Sequence, residues 1–198
     1  MTLHQINKAN SERVRQGDIY SKAPYYESYK ELKGEFELTI YEFPYVLVLT
    51  QDCDLEQNKS ARNKEPAPKQ QALTVNDKHL ISVIVVPLYN SEHLFSGTHL
   101  EELEINTLPQ NSAQKNLIKT NQNPRYHYIE FNEDIILPNS VIDFKHYYSV
   151  SLDWLESNSN NRICGINPIF RELISQRFSN YLSRIGLPEP EDNNDRNN

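Results

Sequence analysis

Glycine is scarce in this chain, 5 residues in 198 against 12 tyrosines and 11 prolines, so turns fall to Asn, Asp and Pro while the aromatics favour pleated, half-buried surfaces. No run approaches the roughly 18 uninterrupted apolar residues of a membrane-spanning helix. Met1 to Asn10 lacks the apolar segment of a secretory signal, so the expected location is cytoplasmic, with no membrane association. Two cysteines, Cys53 and Cys164, are too few for a disulfide framework and read as free thiols. Cations are outnumbered, 20 Lys and Arg against 27 Asp and Glu, and the net charge of −7 removes long-range attraction to nucleic acid, leaving only weak, local RNA contact. A Gly-rich phosphate loop, a Ser-His-Asp order and paired metal-ligand spacings are also missing. No cofactor and no metal are expected: zinc would have to be assembled from Cys53, Cys164, His79, His93 and His99, which are scattered.

What is present is a series of short β patterns. The 37% hydrophobic content suits one domain over residues 1–188, followed by a polar tail, 189–198, too poor in apolar side chains to fold. Gly17 to Tyr20 reads as a strand, Tyr25 to Lys33 as a tyrosine-rich arm turning at Gly34, and Phe36 to Tyr41 as a strand ended by Phe43-Pro44. Tyr45 to Thr50 and Leu80 to Val86, the latter stopped by Pro87, are continuous apolar runs expected at the centre of the sheet. Gln51 to Lys78 has no period and is read as a long loop. Ser91 to Gln122 carries a weak helical signal, with one short helix at Ala113 to Lys119. Strand character returns at Arg125 to Phe131, Val141 to Phe144 and Tyr147 to Leu152. The clearest element is a helix over Pro168 to Ile185, N-capped by Asn167 and stopped at Gly186, with a broad apolar face and with Arg171, Glu172, Gln176 and Arg177 directed to water.

Gly17-Asp18-Ile19-Tyr20, then Phe43-Pro44-Tyr45-Val46-Leu47-Val48-Leu49-Thr50, then Ile84-Val85-Val86-Pro87-Leu88-Tyr89 follow an order that resembles the MazF/PemK toxin family. The resemblance covers Gly17 to Tyr89. It implies a mainly β fold with α: an SH3-like antiparallel barrel, here elaborated by a helical insertion and a C-terminal amphipathic helix. It also implies a metal-independent cut of single-stranded RNA by an Arg preceding Pro and a Ser or Thr following Pro-Leu. Phe43 and Tyr89 stand at those two positions, so the group that would stabilise charge in the transition state is gone. The expected function is therefore a non-catalytic binding module of a bacterial toxin–antitoxin or phage-defence system. Its partner is a protein, an antitoxin-like subunit or a second copy of the chain.

The competing expectation is an endoribonuclease with a relocated site. Arg125, His127, Asp143 and His146, with Lys145 beside them, come from neighbouring strands and offer a general base, its orienting carboxylate and cations. The bland reading of the same residues is cross-strand pairing or exposure to water. Asp52-Cys53-Asp54 follows the buried strand, a common place for a site, but flanking carboxylates favour the inert thiol over a thiolate, and a structural or capping role for them is the plainer reading. Tyr25, Tyr26 and Tyr29 suit either base stacking or packing of the arm against the barrel or a partner chain.

Overall fold

The computed structural model describes residues 6–7, 12–63, 76–132 and 135–184. The fold is mixed and mainly β, with every strand pair antiparallel. Among the described residues eight strands, β1 (Ile6–Asn7), β2 (Asp18–Leu32), β3 (Glu35–Val48), β4 (Ser82–Asn90), β5 (Tyr126–Ile129), β6 (Ser140–Asp143), β7 (Tyr148–Ser151) and β8 (Arg162–Ile166), run in the order β1-β8-β2-β3-β4-β6-β5, with β7 also paired to β4. Among the described residues five α-helices accompany them: α1 (Asp52–Arg62), α2 (Ser91–Ser96), α3 (Ser112–Lys119), α4 (Leu152–Ser157) and α5 (Pro168–Leu182).

Neither proline ends its strand, which corrects the sequence reading. Pro44 lies within β3 at a position the ladder skips: Ser21 pairs Tyr45 and Ala23 pairs Phe43 in one unbroken register, while Lys22 between them adopts a positive φ of 57°. Pro87 lies within β4. The Ile84 amide and carbonyl both face the β3 side, bonding Thr50 Oγ1 and the Leu49 amide. By alternation the Pro87 nitrogen faces the other edge, where β4 leaves β7 after Val85 and meets β6 at Leu88. A proline is tolerated in each strand where no ladder donor is needed.

β2 and β3 form one long hairpin whose tip turns through Lys33 and Gly34, with φ of 56° and 84°, as a tight two-residue connection requires. Tyr26 opposes Ile40, Tyr29 opposes Leu38 and Glu31 opposes Phe36 on one face of this arm. The five apolar side chains of that face are exposed, Tyr29 by 75% and Phe36 by 73%.

The first part of the expected long loop is α1, which buries Leu55, Asn58 and Ala61 at three-residue spacing, and residues 64–75 lie outside the described residues. A stripe with an asparagine at its centre carries little apolar periodicity. β8 and α4 were not anticipated, and both are short. The C-terminal helix stands where expected, to Leu182, while Gly186 and the tail 189–198 fall outside the described residues. Its inward face is narrower than the apolar pattern suggests: Ile174 and Phe178 are buried with Phe170 and Tyr181 packed nearby, whereas Ile169 is 75% exposed.

Two of its arginines turn inward rather than to water. Arg177 donates to the carbonyls of Asn121, Asn123 and Tyr126 at 2.7, 2.8 and 2.8 Å, clamping the segment that leads into β5. Arg171 meets Asp52 at 3.4 Å. Three apolar clusters make the interior, one under α5 around Phe144 and Ile142, one around Val46, Val85 and Leu155, and one around Tyr89, Leu94 and Ile118.

Candidate functional site

A cleft opens where strands part. β3 and β4 pair only through Val46, Leu47 and Val48 against Pro87, Val86 and Val85. Before Val46, β3 stays with β2, and after Pro87, β4 turns to β6, so the two chains diverge from Tyr45 and Leu88 onward. The wedge between them is a cleft of about 500 Å³, closed on its far side by His99, Leu100 and Leu103. A smaller hollow of about 270 Å³ shares Phe43, Tyr89, Leu100 and Leu103 with it and reaches Tyr25, His146 and Tyr148.

Phe43 and Tyr89, distant in sequence, are neighbours here, with ring centroids 6.4 Å apart and nearly perpendicular. Phe43 also lies 5.4 Å from Tyr148 and 5.9 Å from Tyr25. Tyr89 has His99 edge-on at 4.8 Å and His146 edge-on at 5.7 Å. These separations are those of interacting aromatic pairs.

A polar chain backs the aromatic wall. The Tyr89 hydroxyl is 2.9 Å from His146 Nδ1, which is 3.6 Å from Asp143 Oδ2. Asp143, fully buried, accepts from Arg125 through Nε at 2.8 Å and through a second guanidinium nitrogen, and from the Lys145 amide at 3.0 Å. Burial lowers the His146 pKa despite the opposing pull of Asp143. The ring is then neutral at pH 7, and with the Tyr89 hydroxyl donating, Nδ1 is the acceptor and Nε2 holds the proton. Burial lowers His99 to about 4 and raises the hydroxyls of Tyr89 and Tyr148. His99 Nδ1 and the Tyr148 hydroxyl are buried and have no hydrogen-bond partner among the described residues.

Arg125, Asp143 and His146 therefore meet, but His127 does not join them. It opposes Ile142 in the ladder while Asp143 opposes Tyr126, so strand alternation sends His127 to the other face, beside Phe144. There it is 5% exposed, and burial, with Arg177 nearby, pushes its pKa down to about 3. The general-base role expected of His127 has no support in this position.

Asp52, Cys53 and Asp54 begin α1. Asp52 accepts two hydrogen bonds from Arg13 at 2.9 and 3.0 Å and one from the Gln16 amide at 3.2 Å, with Arg171 also close. Burial raises its pKa, but the hydrogen bonds and charge of Arg13, the charge of Arg171 and the Gln16 amide together outweigh that and leave it lowered. It ties the N-terminal segment, α1 and α5 together. Cys53 is exposed and Cys164 is buried. The three arm tyrosines separate: Tyr25 packs on Tyr148 at 5.3 Å, whereas Tyr26 and Tyr29 lie on the opposite, exposed face.

The sequence marks His99 only as a scattered metal-ligand candidate and Leu100 and Leu103 only as part of a weak helical signal, since nothing in local spacing marks residues that close a cleft from another segment. Among the described residues no three His, Cys, Asp or Glu side chains are grouped to hold a metal ion, and no helix is long and apolar enough to cross a membrane. Comparison with models of known protein families and with curated proteins finds no match to this chain.

Proposed function

We propose that the chain is a non-catalytic, MazF-like binding module on an elaborated SH3-like barrel, serving a bacterial toxin–antitoxin or phage-defence system and holding a protein partner at the Phe43–Tyr89 cleft. The observation that carries this reading is the packing of Phe43 on Tyr89. At the two positions where the resembled family has its cation and its Ser or Thr hydroxyl, an aromatic pair lines a cleft instead. Arg125, the guanidinium at the end of this chain of polar groups, is already paired with buried Asp143 and is not free to meet a phosphate. The exposed apolar face of the β2–β3 arm further favours a protein partner, as contiguous exposed apolar surface commonly does.

One observation favours the second reading, a metal-independent endoribonuclease: the Arg125–Asp143–His146–Tyr89 chain orients an imidazole beside the smaller hollow. The two readings separate in one experiment. Wild type and His146→Ala are incubated with a long labelled RNA in the presence of a chelator, and product ends are mapped. No cleavage by either protein is expected. Reproducible cuts at a short sequence by the wild type, absent with the variant, would establish the nuclease.

A further inference from the structure

We infer that the cleft lined by Phe43, Tyr89 and His99 receives a basic side chain, the lysine or arginine of a partner segment, seated against aromatic walls beneath the carboxylates of Glu42, Glu101 and Glu102. The inference rests on the binding-module reading and names the chemistry of its partner. The residues that line the larger cleft include those three glutamates and, among the described residues, no Lys or Arg. A phosphate entering there would face repulsion, and a cation would not.

Aromatic side chains supply the second half of the recognition. Phe43 and Tyr89 form the wall common to both hollows, and Tyr41 and Tyr45 line the larger one. Ring faces attract ammonium and guanidinium groups, more strongly where water is partly excluded. A cleft of about 500 Å³ falls within the range that holds ligand groups of this size. His99 adds a directional element: its Nδ1 is buried and unbonded among the described residues, and as a neutral ring it can accept an N–H from the incoming cation.

Among the cations of the chain itself, Lys145 lines the smaller hollow but not the larger one, and three others are engaged elsewhere. Arg125 is bound to Asp143, and Lys115 and Lys119 lie over the Phe95 ring at 5.7 and 5.4 Å. The carboxylate-rimmed aromatic cleft is thus complementary to a charge that must come from outside these side chains.

The test uses the full chain, with Nα-acetyl-lysine amide and Nα-acetyl-arginine amide as cationic probes and the Nε-acetylated lysine derivative as the neutral counterpart. Titration is followed on the imidazole signals of His99 and His146 by NMR. The cationic probes should move the His99 signals, and the neutral one should bind about tenfold more weakly or less. Glu101→Gln combined with Glu102→Gln should weaken the cationic probes by about tenfold, given charge attraction in a partly desolvated site. Both glutamates are exposed, so this variant keeps the fold, and Phe43→Leu, which removes the ring but keeps apolar volume, should weaken binding as well.

Equal binding of the neutral probe, indifference to the double Gln change, or no response of His99 at millimolar probe would each overturn the assignment. A short RNA oligonucleotide that moves the same signals more strongly than the cations would also overturn it. RNA cleavage in the preceding experiment sinks the binding-module reading, whereas failure of the cations without cleavage sinks only this assignment.

Discussion

Asp143, expected to orient a base, sits at the centre of a polar cluster. Its carboxylate is fully buried and meets the Arg125 guanidinium, the Lys145 amide and His146, so its lone pairs are spent on holding the turn after β6. Removing one partner of such a pair leaves a buried charge uncompensated, which typically costs about 3–5 kcal/mol. Arg125→Ala should therefore lower the unfolding free energy by roughly 3 kcal/mol, because the Lys145 amide still compensates Asp143 in part. Denaturant unfolding measures this, and a loss within about 0.5 kcal/mol, the range of ordinary surface changes, would show the pair to be incidental.

Two elements owe their placement to single residues. The strand β5 is reached through the clamp that Arg177 of α5 puts on three carbonyls, and hydrogen bonds to a charged donor contribute about 1.5–3 kcal/mol each at most. Arg177→Ala should destabilise the protein by about 2–3 kcal/mol and speed amide exchange across residues 121–129 first, with Arg177→Lys restoring part of the loss. Uniform exchange throughout the chain would argue against a local clamp. At the tip of the arm, Gly34 has a positive φ of 84° with open space around it, so only backbone strain opposes a side chain there. Gly34→Ala should cost about 1 kcal/mol, measured by thermal unfolding, without altering the body of the fold.

The pH response belongs to the whole molecule. Burial holds His127 at about 3 and His99 at about 4, and lowers His146, all from an ordinary 6.5. Each histidine binds its proton more weakly folded than unfolded, so the unfolded chain takes up more protons as the medium acidifies. Stability is fully present above about pH 6.5 and is lost as pH falls from there towards 3. For His127 the slope approaches about 1.4 kcal/mol per pH unit, and it is smaller for His99 and His146, which keep some solvent contact. Unfolding midpoints at pH 7 and pH 5 should differ accordingly, and His127→Gln should flatten the dependence by about 1–2 kcal/mol over that interval. A slope unchanged by His127→Gln would assign the acid sensitivity to other groups.

Local chemistry in the sequence carried the apolar runs of β3 and β4, the Gly34 turn, the short helix after Asn111 and the Pro168 start of α5, because each depends on neighbours within a few residues. The two in-strand prolines were misjudged for want of the sheet order, since a missing donor matters only if a partner strand faces it. The outward assignment of Arg171 and Arg177 failed in the same way: helical spacing describes a face, not the carbonyls and carboxylates that another segment brings to it. Of the candidate site, the sequence named Phe43, Tyr89, Arg125, Asp143 and His146, but not that they converge, nor that His127 leaves them. Strand register decided that, by placing Tyr126 rather than His127 opposite Asp143, and the parting of β3 from β4 decided that there is a cleft at all. Both are consequences of pairing between residues far apart in the chain, which composition and periodicity do not encode.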